Sequence, residues 1–408
     1  MSKPSPYSFC CNTALAECAT SFPALAALAG LYQQGLAVSK SLWGCALLLS
    51  LAVAPSVAMS ADSPTPVPRA KAAVYGHRGA SALLPEHTLA AYAQAIADGA
   101  DYIEPDLVMS KDGVLVSRHE NEISGTTDVA SRPEFAGRKT VKTIDGERVE
   151  GWFTEDFTLA ELKTLYVRER LPQVRSTAFD GQFRIATLDE IIDFLVQQAG
   201  RAGKGIGLVP EIKHGTYFRS IGLPMEEKVV ATLKANPYTK VAPITIQSFE
   251  VTNLRQLRTA LGRGGNIRLL QLIGDANQQP ADVLAAKGSQ RYADMLTPAG
   301  LAQVATYADG IGPSLRMVIP LDASGKMGTP TTLVRDAQAA GLMVVPYTFR
   351  PENSFMAAEF RSGTANARNP EGSVAEMRAY LKTGIDAFFT DDPALGRRAV
   401  DGDATAAK

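Results

Sequence analysis

The chain has 408 residues, long enough for one large domain or two medium ones, and its composition is that of a globular protein. Lys and Arg total 41 against 42 Asp and Glu, and the net charge of -1 excludes the broad basic footprint of a nucleic-acid binder. A basic pocket for a single phosphate stays open, because that needs only a few side chains.

Residues 1–39 are an N-terminal extension with no assigned role. Residues 40–60 have the build of an export signal: Lys40, then the apolar stretch Leu42 to Ala54, then the small-residue cleavage candidates Ser56-Val57-Ala58 and Ala58-Met59-Ser60. The stretch is too short to span a bilayer comfortably, so the mature chain is expected to be exported, periplasmic or secreted, with no stable membrane span. Residues 61–71 are polar and proline-rich, as in a linker. The cysteines, Cys10, Cys11, Cys18 and Cys45, all precede the expected folded domain. No disulfide, thiolate ligand or cysteine nucleophile is therefore expected within it.

From Ala73 short apolar runs alternate with helical patterns. Val74-Tyr75-Gly76 reads as a strand ending at His77. Thr88 caps the next helix, whose apolar face is Leu89, Tyr92, Ala93 and Ile96, and Gly99 ends it. Tyr102 to Leu107 is a second strand, and Val114 to His119 a further one after the Lys111-Asp112-Gly113 turn. Residues 120–184 break the rhythm: they are polar, with short aromatic patches at Trp152-Phe153 and Phe157, and read as an insertion. The rhythm resumes with a helix at Thr187 to Gln198 and a strand at Ile206 to Lys213. Further apolar runs follow at Ile244 to Ser248, Ile267 to Ile273, Gly310 to Pro313, Leu342 to Tyr347 and Ala387 to Thr390. The domain is thus expected over 72–396, with 397–408 as a tail.

Repeated strand–helix units fit a doubly wound sheet or a TIM (β/α)8 barrel. A doubly wound sheet should carry a Gly-rich nucleotide loop after its first strand, and Gly262 to Gly265 is not placed that way. His77, Glu104, Asp106, Glu211, Lys213 and Gln247 all fall at C-terminal strand ends. A barrel converges those ends on one mouth, so the barrel is preferred.

The four histidines all lie between His77 and His214. Glu104 and Asp106, one residue apart on a strand, point the same way, and Glu211 adds a third carboxylate. Buried together they need a positive charge, and an oxygen-only set suits one divalent cation, Ca²⁺ or Mg²⁺. His77 and His119 suit an acid–base pair for phosphodiester hydrolysis. Arg78 and Lys213 are candidate phosphate contacts. Gln247 is a candidate to position water or phosphate, and Tyr347 and Phe349 to wall the alcohol side. His87 and His214 read as supporting residues.

These motifs closely resemble the glycerophosphodiester phosphodiesterase family. The resemblance rests on His77-Arg78-Gly79-Ala80, Pro85-Glu86-His87-Thr88, Glu104-Pro105-Asp106-Leu107, Lys111-Asp112-Gly113 and His119-Glu120. It continues through Glu211-Ile212-Lys213, Ile246-Gln247-Ser248-Phe249 and Phe389-Thr390-Asp391. It implies a TIM barrel that cleaves glycerophosphodiesters to an alcohol and glycerol 3-phosphate. It also implies His77 and His119 as the acid–base pair, Glu104, Asp106 and Glu211 as metal ligands, and Arg78 and Lys213 near the phosphate. Residues 120–184 correspond to the insertion found in this family. One position departs: His87 stands where the family usually has Asn. Attack by water and attack by the substrate's own glycerol hydroxyl both stay open. Two competing readings are a phospholipase D-like enzyme on intact lipids, served by an apolar patch from Trp152, Phe153 and Phe157, and a non-catalytic binding protein.

Overall fold

The computed structural model describes residues 71–202 and 205–402. The extension at 1–39, the signal at 40–60 and the linker, apart from Lys71, lie outside the described residues. In chain order the strands are β1 (Ala73–His77), β2 (Tyr102–Glu104), β3 (Asp106–Met109), β4 (Leu115–Ser117), β5 (Thr140–Ile144), β6 (Glu147–Gly151) and β7 (Gly207–Leu208). They continue with β8 (Glu211–Ile212), β9 (Ile244–Ser248), β10 (Ile267–Leu272), β11 (Gly310–Gly312), β12 (Met343–Val344) and β13 (Ala387–Thr390).

A parallel path runs β13-β1-β2-β7-β9-β10-β11-β12. Backbone hydrogen bonds stitch its two ends together. Asp386 N–H donates to Val344 O (3.0 Å), Phe389 N–H to Pro346 O (3.1 Å) and Phe349 N–H to Phe389 O (2.9 Å). The fold is the expected α/β TIM barrel. Its interior is filled by Tyr75, Val209, Leu270, Leu272, Val345, Ala387 and Phe389. A larger apolar layer lies between strands and outer helices.

Two prolines shape the rim. Pro105 separates β2 from β3, and Pro210 lies between β7 and β8. Proline has no N–H to give the ladder, so pairing skips a position there. Each carbonyl still accepts: Glu211 N–H reaches Pro105 O and Gln247 N–H reaches Pro210 O, both at 2.9 Å. The strands therefore continue past the prolines and carry Asp106 and Glu211 to the mouth, where the two residues pair across β3 and β8.

The first helix is Leu89–Ala97, capped by Thr88, whose hydroxyl accepts from Ala91 N–H. Its most buried stripe is Ala91, Tyr92 and Ala95; Ala93, expected on that face, is only half-buried. A side chain at Gly79 (φ 91°) would meet the Ala91 carbonyl carbon at 2.6 Å, so only glycine lets the loop after β1 lie against this helix. The helix expected from Thr187 spans Leu188–Ala202, with Thr187 and Glu190 capping each other reciprocally. The last helix, Pro393–Asp401, takes in residues 397–401, which the sequence reading assigned to the tail, and buries Ala399.

Residues 120–184 contain an element that the sequence reading missed, the antiparallel hairpin β5-β6. Asp145 (φ 50°) and Gly146 (φ 91°) make its two-residue turn. That Asp-Gly pair was the available signal. Trp152, Phe153 and Phe157 are all buried, and Trp152 donates from its ring to Phe135 O (2.7 Å).

Candidate active site

β1 ends at His77, and the chain then turns through Arg78 at φ 58°. That turn aims the Arg78 N–H at Glu104 Oε2 (2.7 Å). Its guanidinium donates to Glu86 Oε2 (2.9 Å), and its Nε lies 3.4 Å from Asp106 Oδ2. Gln247 on β9 donates to Glu104 Oε1 (2.9 Å). Lys213, just past β8, pairs with Glu211 Oε1 at 2.7 Å and lies 3.2 Å from His119 Nε2. His119 follows β4, held over β3 by Arg118 N–H donating to Asp106 O (3.0 Å).

Glu104, Asp106 and Glu211 are buried and offer oxygens within 4.8 Å of one another. Burial, with Asp106 and Glu211 beside it, pushes Glu104 well above the ordinary carboxyl range. Burial likewise raises Glu211 to about 8, against the opposing pull of Lys213. Asp106 Oδ1 and Gln247 Oε1 are buried without a hydrogen-bond partner. Oxygens orphaned beside repelling carboxylates are what a hard divalent cation would satisfy, so the residues fit Ca²⁺ or Mg²⁺.

Each histidine of the expected pair is backed by a carboxylate. His77 Nδ1 lies 2.6 Å from Asp391 Oδ1, and His119 Nδ1 bonds to Glu120. Burial and the nearby Arg78 lower His77 to about 4, against the pull of Asp391. Burial, Arg78 and Lys213 lower His119 to about 3. Both shifts favour the neutral ring, and in each case the neighbouring carboxylate pulls the other way. An ammonium can only donate, so Lys213 fixes His119 Nε2 as acceptor and Nδ1 as the protonated nitrogen.

His87 (φ 59°) is fully buried. Its Nε2 reaches Asp106 Oδ2 (2.9 Å) and its Nδ1 the Tyr92 hydroxyl (3.0 Å). It supports the carboxylate from behind. His214 bonds Asp145 Oδ2 (2.6 Å) and so ties the β5-β6 turn to the end of β8. A cavity of about 550 Å³, lined by Lys213, His214, Phe249, Glu250 and Tyr292 among others, opens beside Glu211.

Tyr347 lies near this cavity, its ring edge-on to Phe249 (5.9 Å) and its hydroxyl on Ile273 O (2.7 Å). Phe349 does not wall the mouth as expected. It is 2 % exposed and packs edge-on against Phe388 and Tyr380 on the helix side. The alternation that keeps Val345 and Tyr347 on the interior layer fails at the next step, and Phe349 joins the outer apolar layer instead. Sequence reasoning assigns no role to Glu86, Arg118, Glu120 and Asp391, although Glu86, Glu120 and Asp391 stand inside its quoted motifs and Arg118 directly beside one. It missed Arg170 and Arg175 altogether.

A family profile described as the glycerophosphoryl diester phosphodiesterase family matches residues 77–395. A glycerophosphodiester phosphodiesterase of Arabidopsis thaliana is 36% identical over 329 residues, covering 77% of this chain and 82% of that protein. One from Haemophilus influenzae is 32% identical over 342 residues, covering 79% and 88%. The chain belongs to the glycerophosphoryl diester phosphodiesterase family. Among solved structures, a phosphodiesterase of Oleispira antarctica, in complex with the product sn-glycerol 3-phosphate, shares the fold with a TM-score of 0.51. It is 21% identical, and the match covers 81% of this chain and 97% of that one.

Proposed function

We propose that this chain hydrolyses glycerophosphodiesters to an alcohol and sn-glycerol 3-phosphate, with Ca²⁺ or Mg²⁺ held by Glu104, Asp106 and Glu211. The observation that carries the reading is the cluster of these buried carboxylates, with an orphaned Asp106 oxygen, in contact with Arg78 and Lys213. The substrate class comes from the names of the two relatives above 30% identity. A bound cation supplies charge that stabilises the phosphoryl oxygens in the transition state. Arg78 and Lys213 hold the phosphate. His119, backed by Glu120, and His77, backed by Asp391, divide the proton work: one ring, neutral, takes the proton of the attacking oxygen, and the other, entering the step protonated, delivers one to the leaving alkoxide. The same pair serves whether water attacks or the substrate's glycerol hydroxyl does, giving a cyclic phosphate.

Burial of Trp152, Phe153 and Phe157 leaves those side chains unable to form a landing surface for intact lipid, which favours the small substrate. Among the described residues no helix is long and apolar enough to cross a membrane. The proposal includes export, on the strength of residues 40–60, and a role in breaking down glycerophospholipids and scavenging phosphate and glycerol. Amino-terminal sequencing of protein recovered outside the cytoplasm checks the export step. A coupled glycerol 3-phosphate assay over several glycerophosphodiesters, with and without EDTA, tests the chemistry. Product should form, disappear in chelator and return with Ca²⁺ or Mg²⁺. Full activity in EDTA removes the metal, and no glycerol 3-phosphate from any substrate sinks the reading.

A further inference from the structure

The carboxylates behind the two histidines are themselves held, and the closest holder of each comes from one short loop of the insertion; Arg350 Nε adds a longer contact to Asp391 Oδ2 (3.3 Å). Arg170 forks onto Glu86 through Nε (2.8 Å) and Nη2 (2.7 Å), and onto Glu120 through Nη1 (3.1 Å) and Nη2 (2.6 Å). Glu120 is the partner of His119 Nδ1. Arg175 donates to Asp391 Oδ2 (2.5 Å), to Glu352 through Nε (2.8 Å), and to Ser81 O (2.9 Å). Asp391 is the partner of His77 Nδ1. The loop between them is a compact turn, with Val174 N–H and Arg175 N–H both donating to Leu171 O at 2.9 Å. Leu171 N–H donates to Glu169 Oε1 (2.8 Å).

We propose that Arg170 and Arg175 are positioning residues, so that one loop of the insertion locks both histidines through Glu120 and Asp391. The proposal rests on the reading of His77 and His119 as the acid–base pair. A carboxylate beside an imidazole fixes its tautomer and ring angle only if the carboxylate cannot rotate. A carboxylate on a flexible stem rotates unless its second oxygen is also held. The planar arginine fork holds that oxygen in a way a lysine does not. Here the Oδ1 of Asp391 faces His77 and its Oδ2 faces Arg175. On the other side, both oxygens of Glu120 are engaged by Arg170. The insertion therefore completes the proton-transfer machinery from outside the barrel, with neither arginine in contact with the metal-binding carboxylates.

Arg170 also grips Glu86, the partner of Arg78, so its loss reaches both the phosphate contact and His119. Arg175 has no such second path. Arg175→Met should lower kcat about 10- to 100-fold, with KM held within about 3-fold. Arg170→Met should lower kcat similarly, and a double-mutant cycle isolates the route. Added to Glu120→Gln, Arg170→Met should cost clearly less than it does in the parent, because the Glu120 route is already lost and only the route through Glu86 to Arg78 is left. If the two effects multiply in full, the arginine acts by another route and the proposal falls. It also falls if Arg175→Met keeps wild-type kcat. Should Arg175→Met fail to fold, Arg175→Lys keeps the charge without the fork and should show a smaller loss of the same kind. His77→Ala and His119→Ala in the same assay separate the two failures. Near-wild-type rates there overturn the acid–base reading itself, whereas their collapse beside intact arginine variants overturns only the loop's role.

Discussion

Glu104, Asp106 and Glu211 reach the mouth on barrel strands, whereas Arg170 and Arg175 reach it from a loop outside any regular element. Strand geometry fixes the first set. Two residues apart on a strand share a face, and neighbouring parallel strands set Asp106 opposite Glu211. Ion pairs fix the second set, one guanidinium against two carboxylates at each arm. The rim therefore concentrates negative charge and needs a cation, whereas the insertion supplies cations and needs anions. A rim residue is positioned even when its neighbour is removed; an insertion residue is not.

The rim half of this contrast breaks most sharply at Asp106. Asp106→Asn keeps an acceptor for His87 but withdraws one charge from the carboxylate cluster. A metal's contribution of several kcal/mol corresponds to a loss of about 1000-fold in kcat. Calorimetric titration should show weakened Ca²⁺ or Mg²⁺ binding, with a melting temperature no lower than that of the parent. Unchanged cation binding would remove Asp106 from the ligand set. His77→Ala and His119→Ala come next, at about 100-fold or more, the scale of lost acid–base catalysis. Both should leave cation affinity nearly intact, and a matching loss of affinity would mean that the histidines act on the metal instead.

His87 tests how tightly the rim is supported from behind. At φ 59° the position suits asparagine as well as histidine. Asn is too short to bridge Asp106 and Tyr92 at once. His87→Asn should stay within about 10-fold of wild-type turnover and lose about 1–3 kcal/mol of stability from the partner left unpaired. Chemical denaturation and a turnover assay measure the two terms separately. A larger loss of turnover than of stability would make His87 part of the chemistry.

The same contrast explains what could be read from the chain. Strand ends carry a period, so the sequence alone puts His77, Glu104, Asp106, Glu211, Lys213 and Gln247 on one mouth. Pro105 and Pro210 interrupt the ladder without shifting that alignment. Phe349 departs from that period because the alternation, still kept by Val345 and Tyr347, fails after Tyr347. The β5-β6 hairpin was missed although Asp145-Gly146 announced it. Arg170 and Arg175 had no local signal at all. Their partners Glu86, Glu120, Glu352 and Asp391 are distant in sequence, and an arginine in an irregular stretch reads as a solvated charge until the fold brings its acceptors to it.

The smallest expected effect lies in the loop that carries those arginines. Glu169 is 6 % exposed, and its carboxylate accepts the Leu171 N–H that shapes the turn. Burial raises its pKa from 4.5 to about 7, with the Leu171 N–H and Arg175 opposing. The folded chain then keeps a proton that the unfolded chain releases near 4.5. Where the native state binds more protons, stability falls with rising pH, so this group weakens the fold progressively from 4.5 to about 7 and fully above that. Glu169→Gln keeps the acceptor and removes the charge. Its urea midpoint should match the parent near pH 4.5 and exceed it at about pH 8. An equal difference at both pH values would mean that the charge is not what strains the turn, and that the insertion holds its arginines at no electrostatic cost to the fold.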